Sequence, residues 1–202
     1  LAAPAGRRLG PALAFGLRMV WFTWSRYQSA SYAANYQRQK QASASLPAPV
    51  DRKGMVGGRV DVGAVQRTFE PGSIFKAVTL SAAIEAKRVA LDDLFPLGPS
   101  WDPGDGGRAI RDAHPLQGMH STRSCLEHSS NVCFAQIAQR AGADNLYRTA
   151  RDFGFGTPSG VDLPGEEGGR LKTVDQWSRR TLPTMAIGQE VTATPLQMAA
   201  AY

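Results

Sequence analysis

A proline-glycine break followed by a helical pattern constrains the fold of this chain more than any other feature. Pro71 and Gly72 interrupt the chain, and apolar residues then recur with helical spacing over residues 73–88. The break places Ser73 in the first turn of the predicted helix, and Lys76 follows three residues later. Side chains at this spacing project from the same helix face about one turn apart, so a hydroxyl and an amine are brought together.

This pair has the residue types of a nucleophile with its base. A serine hydroxyl attacks poorly unless a base within hydrogen-bond reach takes its proton. Lysine serves as that base when burial or a neighbouring cation lowers its pKa and populates the neutral amine. We interpret Ser73 as a candidate nucleophile and Lys76 as its candidate base. An ordinary helix with an N-terminal serine and a solvated lysine fits the same short pattern.

Helical spacing returns at three places later in the chain. The patterns predict helices over residues 122–139 and 143–153, and another over 194–202 with a proline in its first turn. Residues 91–123, rich in Gly, Pro and Asp, and residues 154–172, rich in Gly and Pro, are predicted to be loops with little regular structure.

Three polar residues, Ser129, Ser130 and Asn131, lie within the second helical pattern. Serine and asparagine favour helix ends and turns, where their side chains bond backbone groups, so their place inside a helix calls for another reason. A hydroxyl that passes a proton to a leaving amine, beside an amide that holds a substrate carbonyl, supplies one. We therefore treat this run as a second candidate site segment.

The positive charge of the chain is concentrated at its N-terminal end. The net charge is +6, yet residues 1–60 hold nine Lys or Arg and one acid, whereas residues 61–202 hold fourteen and sixteen. A basic arm beside the apolar run of residues 9–24 favours an anionic membrane surface over a nucleic-acid groove. We predict no nucleic-acid partner. The three histidines lack ligand spacing, so we also predict no metal.

The apolar run of residues 9–24 fits a short membrane anchor, an amphipathic surface helix or a buried helix. It is shorter than the ~20 residues that a spanning helix prefers, and Pro11 and Arg18 interrupt it. The flanking Arg7 and Arg8 favour the two membrane-associated interpretations. We assign residues 1–26 to this anchor or amphipathic segment, residues 27–62 to a stalk with a hairpin remnant, and residues 63–202 to the main domain.

The two cysteines are expected to remain unlinked. If Cys125 and Cys133 lie on one helix, eight residues of rise separate them by ~12 Å, which is too far for a disulfide. We therefore predict that they are small buried residues without a redox or metal role.

Taken together and in order, the motifs resemble the transpeptidase domain of class B penicillin-binding proteins. The match covers about residues 65–202, and the FEPGS form resembles division- or sporulation-type enzymes. Five segments carry the resemblance: RTFEPGSIFK (67–76), IRDAH (110–114), HSSNVCFAQIA (128–138), FGFGTPSGVDLPGE (153–166) and IGQEVTATPLQMAAAY (187–202). The fold implied is the α/β (α+β) fold of penicillin-recognising serine transpeptidases.

The resemblance also implies roles for the candidate site residues. Ser73 would attack the carbonyl before the terminal D-Ala of a peptidoglycan stem peptide, and β-lactams would acylate the same hydroxyl. Lys76 would be the base, Ser129 would relay a proton to the leaving group, and Asn131 would hold the substrate amide and support Lys76. Ser130 is assigned to substrate binding.

No cofactor is implied by the family. Its partners would be stem peptides, β-lactams and the membrane proteins of cell-wall synthesis or division. Its location would be the cytoplasmic membrane, with the catalytic domain on the extracytoplasmic side.

The sequence departs from the family in several places. The third motif, Lys-Thr/Ser-Gly, is missing, because Lys172-Thr173 is followed by Val174 and precedes the last predicted helix. Cys133 stands where the family usually has glycine, and Ile74 where it has threonine. We expect an incomplete fold, with the helical lobe mostly present and the antiparallel sheet largely missing. The polypeptide alone is therefore expected to be poorly active.

Two other functions remain open from the sequence. An inactive remnant or scaffold piece of a cell-wall complex fits the missing third motif. A class D-like β-lactamase or β-lactam sensor domain also uses Ser-x-x-Lys, but its second motif ends in valine where this chain has Asn131.

Overall fold

The computed structural model describes residues 62–202. The anchor, stalk and hairpin predictions for residues 1–61 lie outside this range. The helices are α1 (Gly63–Gln66), α2 (Lys76–Glu85), α3 (Thr122–Glu127), α4 (Asn131–Ala141), α5 (Ala143–Asp152), α6 (Thr181–Met185) and α7 (Pro195–Ala201), with 3-10 helices at Gly72–Phe75 and Val174–Gln176. The strands are β1 (Leu94–Leu97) and β2 (Gly118–Ser121).

Helix α2 lies at the centre of the described domain and packs against α4 and α5. Six of its residues are buried, four of them apolar, together with the polar Lys76 and Thr79. The small side chains of Ala82 and Ala83 let the neighbouring helices approach closely. The predicted helix of residues 73–88 is therefore present, but its first turn, Gly72–Phe75, is a 3-10 helix.

Two apolar clusters form the core on either side of α2. The first includes Phe75, Val78 and Phe155, and the rings of Phe75 and Phe155 meet edge to face with centroids 5.1 Å apart. The second includes Leu80 and Phe134, which pack with the β1 side chains and with both cysteines. Because α2 contributes to both clusters, its position is fixed from two sides.

Helices α5 and α7 form where the sequence predicts them. Helix α5 covers nearly the whole predicted range of residues 143–153. Helix α7 begins at Pro195 behind a capping box, in which Thr194 and Gln197 bond each other's backbone N–H groups. The Gln197 amide also donates to three loop carbonyls, those of Gly154, Thr157 and Gly168.

The prediction of one helix over residues 122–139 is wrong. The chain forms α3 and α4 there, separated at His128–Ser130, where Ser129 adopts a positive φ of 52°. Serine caps begin both helices: the Ser121 side chain accepts from the Ser124 N–H, and the Ser130 side chain accepts from the Cys133 N–H. The polar run thus lies at a helix boundary and not within a helix.

The prediction that residues 91–123 hold little regular structure is also wrong in part. Strands β1 and β2 pair antiparallel, with Leu94 opposite Ser121 and Leu97 opposite Gly118. Along β1 burial alternates, so that Phe95 and Leu97 enter the core while Leu94 and Pro96 face outward. This two-stranded sheet is the only sheet within residues 62–202.

The expectation of two unlinked cysteines is wrong, because it assumed that both lie on one continuous helix. The Cα atoms of Cys125 and Cys133 lie 5.9 Å apart on two different helices, and the two sulfurs form a disulfide. Both residues are fully buried.

A close backbone contact joins the start of the Ser73 turn to the segment after α6. The Gly72 N–H donates to the Gly188 carbonyl over 3.0 Å. Gly188 has a φ of +80°, and a Cβ atom there would lie 2.0 Å from the Gly72 carbonyl oxygen. Only glycine fits this position, both for its backbone conformation and for the space available.

We predict that Gly188→Ala destabilises the chain by at least about 2 kcal/mol, because it adds a backbone clash to the cost of a left-handed alanine. Gly160→Ala is the matched control, since Gly160 has nearly the same φ, +79°, and a Cβ atom there would have no neighbour within 4 Å. Urea denaturation followed by circular dichroism measures both variants. Equal losses in the two would contradict the role given to the Gly72 contact.

Candidate active site

Ser73 and Lys76 lie on one face of the turn that leads into α2. In a 3-10 turn, side chains three residues apart are eclipsed, which places the Lys76 amine under the Ser73 hydroxyl. The Nζ to Oγ distance is 3.2 Å. Ser73 is exposed, whereas the Lys76 residue is only 1% exposed. A reachable hydroxyl therefore stands beside a desolvated amine.

The Lys76 amine also contacts the turn between α3 and α4. Nζ lies 2.9 Å from the Ser129 hydroxyl, 2.8 Å from Asn131 Oδ1 and 2.5 Å from the Ser129 carbonyl oxygen. The Phe134 ring centroid lies 5.6 Å away on the core side. The structure thus brings Ser73, Lys76, Ser129 and Asn131 into one hydrogen-bonded group.

The Asn131 side chain is held in a defined orientation. Its Nδ2 group donates to the Arg111 carbonyl over 2.9 Å, which leaves Oδ1 directed at Lys76. An asparagine amide has one accepting and one donating end, so a fixed acceptor on one side settles which end faces the amine.

Burial lowers the pKa of Lys76 from its ordinary value of 10.5 to about 7. The negative charge of Asp112 acts in the opposite direction and raises this pKa. Desolvation is the larger of the two effects, because a charged amine loses hydration that its neutral partners replace only in part. Near neutral pH both the ammonium and the neutral amine are therefore populated.

Asp112 is a site residue that sequence reasoning missed. Its carboxylate accepts from the Ser130 hydroxyl over 2.8 Å and from the Val132 N–H over 3.0 Å, at the first turn of α4. A carboxylate is favourable at a helix N-terminus. The IRDAH segment contributes to the family resemblance, but no spacing within it indicates contact with a turn about twenty residues later.

Ser130, predicted to bind substrate, has a buried side chain with hydrogen-bond partners inside the protein. Ser130 is 1% exposed, and its hydroxyl donates to Asp112 while accepting from the Cys133 N–H. The hydroxyl thus uses its donor and one of its two acceptor lone pairs within the protein, and the side chain caps α4.

Lys172, which comes nearest to the missing third motif, pairs with an acid at the surface. Its amine lies 3.8 Å from a Glu190 carboxylate oxygen, and its side chain is partly exposed, as expected of a surface lysine. Within residues 62–202, no three His, Cys, Asp or Glu side chains are arranged to hold a metal ion.

A serine hydroxyl beside a buried lysine, with a second hydroxyl and an amide on the same amine, is an arrangement suited to serine acyl transfer. Residues 26–202 match the family described as the penicillin binding protein transpeptidase domain. The chain belongs to this family.

Two curated relatives show the range of the similarity. The chain is 40% identical over 142 residues to penicillin-binding protein PbpB of Mycolicibacterium smegmatis, which covers 68% of this chain and 21% of that protein. It is 36% identical over 142 residues to stage V sporulation protein D of Bacillus subtilis, with the same coverage of 68% and 21%. The chain therefore spans about a fifth of the length of these relatives.

A solved structure agrees with the fold. Penicillin binding protein 3 from Mycobacterium tuberculosis, complexed with aztreonam, superimposes with a TM-score of 0.67 at 35% identity, covering 75% of this chain and 34% of that one. The assignments to class B penicillin-binding proteins of division or sporulation type, and to the penicillin-recognising transpeptidase fold, are confirmed.

We predict that the Lys76 amine titrates with a midpoint near pH 7 and that Asp112→Asn moves the midpoint lower. The substitution removes the negative charge that favours the ammonium form while keeping the side-chain shape. The midpoint is measured by NMR from the ¹³Cε chemical shifts of labelled lysines as a function of pH. The Lys76 signal is assigned as the one that is absent in Lys76→Arg.

Asp144→Asn is the control for this titration, because Asp144 is an exposed acid in the first turn of α5. We expect it to leave the Lys76 midpoint unchanged. A wild-type midpoint near 10.5, or an upward shift in Asp112→Asn, would contradict the account of the site.

Proposed function

We propose that this domain carries out acyl transfer on Ser73 with peptidoglycan stem peptides that end in D-Ala-D-Ala, and that β-lactams acylate the same hydroxyl. The observation that carries the proposal is the contact of one buried amine with both hydroxyls, Ser73 and Ser129, and with the Asn131 amide. Family membership supports the substrate class, and the relative complexed with aztreonam, a β-lactam, supports the inhibitor class.

The partners of Lys76 fit a base that works in the neutral form. The Ser129 carbonyl and Asn131 Oδ1 only accept hydrogen bonds, so they take the two N–H groups of a neutral amine. The single lone pair of the neutral amine can then accept from one hydroxyl at a time, that of Ser73 or that of Ser129. The amine can therefore take a proton from Ser73 without leaving an acceptor unsatisfied.

In the acylation step, Ser73 Oγ bonds to the carbonyl carbon before the terminal D-Ala while Lys76 takes the hydroxyl proton. The C–N bond to D-Ala then breaks. The leaving nitrogen receives a proton from the Ser129 hydroxyl, which lies 2.9 Å from the Lys76 amine and regains its proton there. The products are an ester on Ser73 and free D-Ala.

The second step reverses these proton transfers. An amine from a neighbouring stem peptide attacks the ester carbonyl and gives up a proton through Ser129 to Lys76. The C–O bond to Ser73 breaks, and Lys76 returns the proton to the Ser73 oxygen. The new amide leaves the site, and the serine and the neutral amine are restored.

We place this domain outside the cytoplasmic membrane, with cell-wall synthesis or division membrane proteins as its partners. The Cys125–Cys133 disulfide supports an oxidising compartment, because disulfides are rare in the reducing cytosol. Within residues 62–202 no helix has both the length and the apolar character needed to cross a membrane. Residues 9–24, the proposed anchor, lie outside the described range.

We predict a covalent penicillin adduct on Ser73. Intact-mass spectrometry and peptide mapping after incubation with a fluorescent penicillin detect the adduct and its position. Ser73→Ala should abolish it, because the variant lacks the attacking oxygen of the proposed step. An adduct that survives Ser73→Ala, or none at all in the wild type, would refute the proposal. Rapid stoichiometric labelling would contradict only the expectation of a poorly active chain.

We also predict that the acylation rate rises with pH through an acid limb near pH 7, because the neutral Lys76 amine is the reactive form. Lys76→Arg should lower the rate by roughly 10² to 10⁴, since arginine does not deprotonate in proteins. Lys172→Ala is the control and should label as the wild type does. A pH-independent rate, or a fully active Lys76→Arg chain, speaks against Lys76 as the base.

The lifetime of the adduct separates this proposal from a β-lactamase. A transpeptidase site holds a lasting acyl group when no acceptor amine is present, whereas fast hydrolytic turnover of the penicillin indicates the β-lactamase alternative.

A further inference from the structure

The Cys125–Cys133 disulfide closes a short ring of backbone around the second site segment. The ring begins near the end of α3, crosses the break between the helices and ends in the first turn of α4. It contains Ser129 and Asn131, two of the residues that contact the Lys76 amine. The cross-link therefore constrains the path of the chain at the site itself.

Ser129 needs such a constraint because its backbone conformation is unfavourable. Its φ of 52° lies in the left-handed region, which serine adopts rarely and at a cost. In this conformation both the Ser129 carbonyl and its hydroxyl reach the Lys76 amine. Relaxation to an extended conformation would redirect the carbonyl, so the site depends on whatever holds Ser129 in place.

Both bridged residues are tied to the residue that follows Ser129. The Cys125 carbonyl accepts from the Ser130 N–H over 3.0 Å, and the Cys133 N–H donates to the Ser130 hydroxyl over 3.0 Å. Both cysteines are fully buried in the apolar cluster that also contains Phe134. The covalent bond thus fixes the separation of the two backbone groups that hold Ser130.

We propose that the disulfide is a positioning link for the proposed acyl transfer: it holds Ser129 in its left-handed conformation and so keeps the Lys76 amine in contact with its partners. The inference rests on the proposed function for its consequence in catalysis. The structural part of the inference is that the ordered turn at Ser129 requires the disulfide. This part does not depend on the proposed function and is measured separately. Neither sulfur touches the reacting atoms.

The variant Cys125→Ala/Cys133→Ala in the full chain removes the link. Val132→Ala is the matched control, because Val132 is 1% exposed, lies in the same apolar cluster and loses comparable volume while the disulfide remains. Acylation by a fluorescent penicillin is measured per folded molecule, with the folded fraction taken from circular dichroism.

We expect the maximal acylation rate of the double variant to fall at least about tenfold, with a smaller change in the half-saturating penicillin concentration, because the reacting groups lose their alignment. Val132→Ala should keep the wild-type rate per folded molecule even where its melting temperature falls. Equal rates in the double variant and the control would overturn the proposal.

Amide hydrogen exchange gives the readout that does not depend on acylation. The Ser129 and Ser130 N–H groups donate to the Leu126 and Cys125 carbonyls, and both should exchange at least about tenfold faster without the disulfide, while the α5 amides keep their protection. Unchanged exchange at Ser129 and Ser130 overturns the proposal. Faster exchange there, with no acylation even in the wild type, would refute the proposed function and leave the positioning role standing.

If the double variant does not fold, the disulfide can be removed from the wild-type chain by chemical reduction instead. The wild-type chain is treated with a water-soluble phosphine, which becomes a phosphine oxide with oxygen from water while the disulfide gains two electrons and two protons. After desalting, penicillin is added. The protein is then denatured and its free thiols are alkylated, so that reduced molecules are recognised by their added mass. We expect adducts to form at least about tenfold faster on the oxidised molecules, and equal rates on both would overturn the proposal.

Discussion

Burial of the Lys76 amine is the constraint on which the arrangement of this domain depends. An amine that is withdrawn from water must either lose its charge or find acceptors, and an unsatisfied one is costly. Lys76 loses its charge in part, because its pKa falls to about 7, and it finds acceptors on Ser129 and Asn131. The turn between α3 and α4 therefore supplies the acceptors that this one side chain on α2 requires.

The helix break follows from this requirement. A continuous helix over residues 122–139 would keep its carbonyls bonded within the helix, and none could turn toward Lys76. The break frees the Ser129 carbonyl, and the ends it creates are satisfied locally by the Ser130 cap and the Asp112 carboxylate. The unfavourable φ of Ser129 is the local cost, and it occurs where the site requires it.

The same physics explains what can be predicted from the sequence. The pairing of Ser73 with Lys76 is predictable because their contact is local, three residues apart on one turn. The break is not, because Cys125 and Val132 on its two sides are both buried, so the apolar spacing runs through it without interruption. The prediction of no disulfide assumed that both cysteines lie on one helix, and it is wrong because they lie on two. The role of Asp112 depends on tertiary packing. An acidic residue in a loop gives no sequence signal of the groups it will contact.

The exposure of Ser73 and the burial of Lys76 divide the site between two environments. In the proposed function the serine must meet a substrate, and its turn lies at the surface, held by the hydrogen bond from Gly72 to the buried Gly188. The same proposal requires the amine to exchange protons near neutral pH, and burial beside Phe134 lowers its pKa to about 7. A 3-10 turn that passes directly into a buried helix joins these environments within three residues, because it stacks the two side chains along its axis.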